Sequence, residues 1–239
     1  MKRFLLFALL LVATSANAQT AQPYLYRASL VQAAPGRLVE LIDLYKTKAA
    51  SDQKLGEAAA FWMRHSQGDR WDLLVLTPMG SYGEYYAAER TRRRAASEAL
   101  SAGAMRRVVA WQEDVFVYGP PLEEVRKAFT GAGFFHVEMF VALAGRHAEL
   151  YHEREMENAY AKAIGQPQNL IFVRDQGAAW DLFTIGCFRD LKHYAEGPAA
   201  GSDPEAAARA AGFESAAAIG PYLRNFISLH HDTLAVAVK

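Results

Sequence analysis

Imidazoles and carboxylates are the side chains that move protons and hold first-row metals near neutral pH. In this 239-residue chain two such groups stand out in the C-terminal half. His136 and Glu138 are two apart in the apolar run FFHVEMFVAL, so on a strand both project to one face. His230, His231 and Asp232 follow one another in the last apolar run, NFISLHHDTLAVAV. If these two runs are neighbouring strands, His230 or His231 comes to lie beside His136 and Glu138. Two imidazoles and a carboxylate then make a facial set for Fe(II), Zn or Mn, with His136, Glu138 and His231 as the expected ligands. The same groups could instead work as acid and base, with Glu138 orienting His136. They could also form a polar network that satisfies itself without any ligand. The register decides which of His230 and His231 faces the others, because a slip of one residue reverses the face.

Aromatic residues supply a second kind of chemistry. Trp180, Phe134, Phe140 and Trp71, together with Arg27, are candidates to line an apolar cavity for a flat small molecule. The single cysteine, Cys187, reads as a small residue at a buried strand end rather than a reactive thiol. The chain contains no G-x-S-x-G elbow, Walker A loop, G-x-G-x-x-G, H-E-x-x-H or C-x-x-C. These absences remove the commonest hydrolase, nucleotide, dinucleotide, metalloprotease and thiol-redox readings.

The elements that must position these residues come from a repeat. DRWDLLVLT contains Trp71 and AAWDLFTIG contains Trp180, 109 positions later. At that offset PGRLVELIDLY falls on AGRHAELYHER without a gap. Gly36 matches Gly145, Arg37 matches Arg146, Glu40 matches Glu149, Gly56 matches Gly165, and Gln67-Gly68 matches Gln176-Gly177. Each copy reads strand, helix, strand, turn, strand, helix, strand, which is the split βαββαβ order of a ferredoxin-like unit. The expected class is α+β, with units at residues 19–122 and 123–239 and a linker near Pro120–Gly133. Their sheets should pack against each other as a barrel within one chain. The second helix of the later unit is expected within PEAAARAAGFESAAAIGPYLR, after about nine extra residues.

Residues that differ between the copies are better candidates for a specific site than those both keep. His136 and Glu138 stand where the first copy has Arg27 and Ser29, and His230-His231-Asp232 where it has Gln112-Glu113-Asp114. Arg27 and Glu113 are then expected to pair. A helix face carrying His147, Glu149, His152 and Glu153 reads as solvated.

The ungapped repeat and the helix openings PGR and AGR resemble the dimeric α/β-barrel superfamily, in its antibiotic-biosynthesis-monooxygenase-like and NIPSNAP-like branches. The resemblance covers essentially all of the chain after its first residues. It implies a cavity between each sheet and its helices. It also implies small aromatic ligands, haem or cofactor-free oxidation as functions to test, with fold alone assigning none. Chlorite-dismutase-like haem proteins share the tandem arrangement. Their characteristic surroundings of a proximal histidine are not found here, and His152 is the nearest axial candidate.

Composition bounds the partners. The chain is 51% hydrophobic and 22% charged with zero formal net charge, and it lacks a basic stripe interleaved with aromatics, so no nucleic-acid partner is expected. The run RTRRR (90–94) reads as a solvated helix face. MKRFLLFALLLVATSANAQT has a basic start, a short apolar core and Ala16-Asn17-Ala18, which reads as a signal peptide at 1–18 cut after Ala18. The expectation is therefore a periplasmic or secreted protein that makes no membrane contact after cleavage. It would be a monomer with an internal pseudo-dimer, or a homodimer. No cofactor is obligatory; a divalent metal or haem is open. The leading expectation is a small-molecule ligand in the second unit's cavity, with metal-assisted or cofactor-independent oxidative or isomerase-type chemistry. A non-catalytic scaffold is the competing expectation, favoured if side chains fill the space between sheet and helices.

Overall fold

The structure is a computed structural model that describes residues 23–238; the signal-peptide reading at 1–18 lies outside the described residues. Its elements follow the order β1 (Tyr24–Ala33), α1 (Leu38–Lys54), β2 (Phe61–Gln67), β3 (Leu73–Gly80), α2 (Tyr82–Tyr85), α3 (Ala88–Val108) and β4 (Val109–Gly119). After α4 (Leu122–Phe129) come β5 (Phe134–Ala142), α5 (His147–Ala163), β6 (Leu170–Gln176), β7 (Leu182–Phe188), α6 (Leu191–Ala195), α7 (Pro204–Ala210), α8 (Ile219–Leu223) and β8 (Ile227–Ala237).

The eight strands form one closed barrel in the order β1-β3-β2-β8-β5-β7-β6-β4. Within each half the order is the same, 4-1-3-2 and then 8-5-7-6. The halves join edge to edge. β2 pairs with β8 from Met63 opposite Ala237 to Gln67 opposite Leu234, and β4 pairs with β6 around Val117 opposite Arg174. Closure leaves no strand edge unpaired, which removes the usual template for aggregation.

Alternation sorts the strand residues between two cores. Tyr26, Ala28 and Leu30 of β1 and Phe135, Val137 and Met139 of β5 point into the barrel with Trp71, Phe172, Trp180 and Phe183. The intervening residues point outward beneath the helices. Each fully buried side chain of this size contributes roughly 1.5–3 kcal/mol of transfer free energy.

The repeated Trp-Asp-Leu has a physical explanation in both halves. Each tryptophan fills the barrel interior, and the following aspartate holds the end of the neighbouring strand. Asp72 Oδ2 accepts from the Ala33 amide at 2.7 Å, and Asp181 Oδ2 accepts from the Ala142 amide at 3.0 Å. The aspartate amides donate to Val31 and Phe140, each at 2.8 Å.

Several local expectations are corrected. The segment near 120–133 carries a helix, α4, whose Glu123, Glu124, Arg126 and Lys127 suit the helix dipole and whose Val125 is buried. The long helix expected near the end of the second half is broken. α7 stops before Gly212, which takes φ +101°, and a 3-10 turn at Ala216–Ala218 leads into α8. The RTRRR run is not simply solvated. Arg90 pairs with Glu57 at 2.7 Å, and buried Arg94 donates to the Tyr85 carbonyl at 2.6 Å with its guanidinium 3.6 Å from the Tyr85 ring. Among the described residues no helix is long and apolar enough to cross a membrane.

Candidate functional site

β5 and β8 are neighbours, and the register sets Glu138 opposite Asp232 and Phe140 opposite His230. Directly opposed residues share a face, so His136, Glu138, His230 and Asp232 gather on the outer side of the barrel, under α5. His136 Nε2 lies 2.9 Å from Asp232 Oδ1. His230 Nε2 lies 3.3 Å from Glu138 Oε1 and 3.6 Å from Asp232 Oδ1, without aligned hydrogen-bond geometry to either. Thr184 Oγ1 of β7 donates to Glu138 Oε2 at 2.9 Å. From α5 the buried Arg154 reaches Glu138 at 3.7 Å and is itself held by Glu153 at 2.6 Å and Glu157 at 2.5 Å. Phe140 stacks on His230 with centroids 4.7 Å apart and planes 6° from parallel.

The environment drives these groups apart in protonation. Burial pushes Glu138 up, but His230, the Arg154 guanidinium, His136 and the Thr184 hydroxyl outweigh it and hold the carboxyl below its ordinary range. Burial pulls His136 down, yet the Asp232 hydrogen bond and the neighbouring carboxylates hold it above its ordinary value. Hydrogen bonding to His136 keeps Asp232 low. Burial keeps Glu157 high despite Arg154.

Of the residues expected here, His136, Glu138 and His230 come together, and Phe140 packs on them. His231 does not join them. It sits opposite Met139 on the barrel's inner face, at a mouth of about 400 Å³ lined also by Asp69, Trp71, Trp111 and Trp180. Its Nδ1 is 3.7 Å from Asp69 Oδ2. Trp71 and Trp180 belong to that interior and not to a space beneath the helices. Phe134 packs 5.3 Å from the Tyr194 ring. Burial pushes the Cys187 thiol up to about 12, so no reactive thiolate forms there. Asp232, Arg154, Glu157 and Thr184 were not among the residues expected at the site. The 109-residue offset points at Arg154 and Glu157, because they replace Tyr45 and Lys48.

The first half differs sharply. There the outer face of the sheet and helices α1 and α3 enclose a cavity of about 320 Å³. Its lining includes Arg27, Lys48 and Arg94, the carboxylates of Asp52, Glu57 and Glu98, and Tyr45, Trp62, Tyr85 and Met105. The expected pair between Arg27 and Glu113 does not form, because Glu113 lies opposite Leu30 and lines the barrel mouth. Asp114, engaged by Ser29 at 2.5 Å and Gln112 at 3.0 Å, acts on Arg27 at a distance, as does Glu98; burial pulls the guanidinium down, but these charges with Tyr85 and Tyr45 outweigh it. Among the described residues no ion pair or hydrogen bond reaches the Arg27 guanidinium, and its buried Nε is without a partner. Lys48 by contrast is paired with Asp52 at 2.5 Å. Tyr45 and Trp62 flank the space with ring centroids 6.2 Å apart. Burial pushes the Tyr45 phenol up to about 12, so it remains a neutral donor.

No protein-family model and no curated protein matches the sequence. Solved structures do match in fold. An anthrone oxidase-like protein superposes with a TM-score of 0.56 at 11% identity, over 92% of this chain and 93% of its own. A provisionally named monooxygenase from Lactobacillus acidophilus gives 0.53 at 8% identity, over 90% and 94%. A provisionally named chlorite dismutase gives 0.53 at 9% identity, over 91% and 96%. The fold is the dimeric α/β barrel.

Haem is implied by part of that fold group, and the residues here do not suit it. An axial ligand must project into a slot wide enough for the macrocycle. His152 is exposed on the outside of α5, 3.6 Å from Glu155. No histidine lines the first-half cavity, and Arg154 and Glu157 occupy the corresponding space in the second half.

Proposed function

We propose that the protein binds a small, flat organic anion in the first-half cavity, with Arg27 as the charge that recognises it. One observation carries this reading: a largely buried guanidinium with no carboxylate or carbonyl partner lines a cavity of about 320 Å³. Nearby carboxylates hold the Arg27 guanidinium charged without hydrogen-bonding it, so its donors are left for a ligand to complete. The volume falls in the range of small-molecule sites. Tyr45, Trp62 and Met105 supply apolar and aromatic walls, and the Tyr45 hydroxyl supplies a neutral donor. Fold neighbours named as an oxidase and a monooxygenase are in keeping with a small organic ligand. The scaffold alternative needs the space between sheet and helices to be filled, a condition the second half approaches and the first does not.

This reading puts the ligand in the first half, whereas the histidines of the sequence pointed to the second. The test is a calorimetric titration with 2-naphthoate and with its uncharged amide. A charge-assisted hydrogen bond contributes about 1.5–3 kcal/mol, so the carboxylate is expected to bind about 10- to 150-fold more tightly. Equal affinities would remove Arg27 from the recognition.

The reading extends to the chain's organisation and destination, on sequence grounds. The 109-residue offset supports tandem duplication of two ferredoxin-like units, 19–122 and 123–239. The N-terminal pattern supports export with cleavage after Ala18. N-terminal sequencing of the protein from an expressing bacterium is expected to begin at Gln19; a chain retaining Met1 in the soluble fraction would contradict export.

A further inference from the structure

We propose that the second half holds one divalent first-row transition-metal ion between the sheet and α5, coordinated by His136, His230, Glu138 and Asp232. This inference is independent of the first-half cavity and uses none of its residues.

Donor spacing is the first argument. Ligand atoms of His136, Glu138 and Asp232 all lie within 4.8 Å of one another. Individual separations are 2.9 Å from His136 Nε2 to Asp232 Oδ1, 3.3 Å from His230 Nε2 to Glu138 Oε1, and 3.6 Å from His230 Nε2 to Asp232 Oδ1. Four donors held 2.0–2.1 Å from one ion in a tetrahedron stand about 3.3 Å apart. His136, Glu138 and Asp232 thus converge as one set, and His230 approaches two of its members at close to that spacing.

The second argument is an unmet need. His230 Nε2 is buried 3.3 Å from Glu138 Oε1 and 3.6 Å from Asp232 Oδ1, yet makes no aligned hydrogen bond among the described residues. A nitrogen turned toward carboxylates in this way is placed to share an ion with them. The carboxylates of Glu138 and Asp232 both face the two imidazoles, and Arg154 reaches Glu138 only at 3.7 Å, its closer contacts being Glu153 and Glu157. A divalent cation would draw these two carboxylates and the two imidazoles to one centre.

The third argument is support behind the ligands. Thr184 fixes one Glu138 oxygen, and the parallel Phe140 ring fixes the plane of His230. Metal ligands need such supports to hold their orientation. Asp232 is more than half exposed and gives the ion a route from solvent. Nitrogen and oxygen donors without thiolate suit Zn(II), Fe(II), Mn(II) or Co(II). The first half has Arg27, Ser29, Gln112 and Asp114 at the corresponding places, which form no such set. The expected stoichiometry is therefore one ion per chain.

The test uses the full chain after removal of metal by chelator, titrated with Co(II) and followed by its visible d–d absorption and by calorimetry. The expected result is one equivalent per chain with the intense spectrum of low-symmetry N/O coordination. H231A should leave it unchanged, and H230A should abolish the spectrum. D232N, at an exposed position that the fold tolerates, should weaken binding at least tenfold. Absence of stoichiometric binding by the native chain, or binding that survives both H230A and D232N, would overturn the proposal. Should H230A fail to fold, D232N and the native spectrum still decide it.

Discussion

Glu153 sits fully buried on α5, with Oε2 accepting from Arg154 at 2.6 Å and Oε1 without a partner. Burial pushes its carboxyl up to about 7, well above that of an unfolded glutamate. The folded state therefore binds more protons than the unfolded state between about pH 4.5 and 7, and stability falls as pH rises through that window. Glu153→Gln keeps the shape and removes the titration. Its stability relative to the native chain should improve by roughly 2 kcal/mol between pH 5 and pH 8, read by urea unfolding at both values. A pH-independent difference would contradict this account. The sequence shows Glu153 only as one charge among several on α5, because the phase of the helix against the sheet is fixed by tertiary packing. His136 and Glu138 are legible because strand alternation alone puts residues two apart on one face. The choice between His230 and His231 is not legible. It depends on the β5–β8 register, which places His230 opposite Phe140.

Strands and their turns were the most readable elements, since each apolar run is long, β-rich and bounded by turn residues. The helices were less readable for physical reasons that differ between the halves. α1 covers a cavity, so of Leu38, Leu41, Ile42 and Tyr45, which helical spacing puts on one face, only Leu41 is fully buried, and the apolar pattern is weak. The helical region before β8 is cut at Gly212, whose positive φ ends one helix and lets Phe213 turn into the core. The hairpin turns carry a repeated contact between halves. A Cβ on Gly68 would stand 2.4 Å from the Asp232 carbonyl oxygen of β8, and one on Gly177 would stand 2.9 Å from that of Asp114 of β4. Both glycines also take positive φ, +124° and +90°. Gly68→Ala should cost at least about 2 kcal/mol from strain plus overlap, and Gly177→Ala somewhat less. Gly83→Ala, with open space and no positive φ, should be close to neutral. Thermal unfolding of the three variants checks the order; equal Tm values would contradict it.

At the scale of the whole molecule, two halves with one strand order close a single barrel and then use their outer faces differently. The second half fills the space beneath its helix with a charged network around Glu138 and Arg154, whereas the first leaves a cavity around Arg27. The repeat made the shared order legible, because a register of matching glycines and tryptophans survives in the sequence. Which half stays open was not legible, since cavity volume depends on how Tyr45, Trp62 and the α1 and α3 side chains pack. The most direct measurement is thermal unfolding of the native chain and of Arg27→Met, each with and without 2-naphthoate. The native chain should gain stability with ligand, about 2.7 kcal/mol at a hundredfold excess over Kd, and the variant should gain almost none. A variant that responds to the ligand as the native chain does would contradict the assignment of Arg27 as the ligand's anchor.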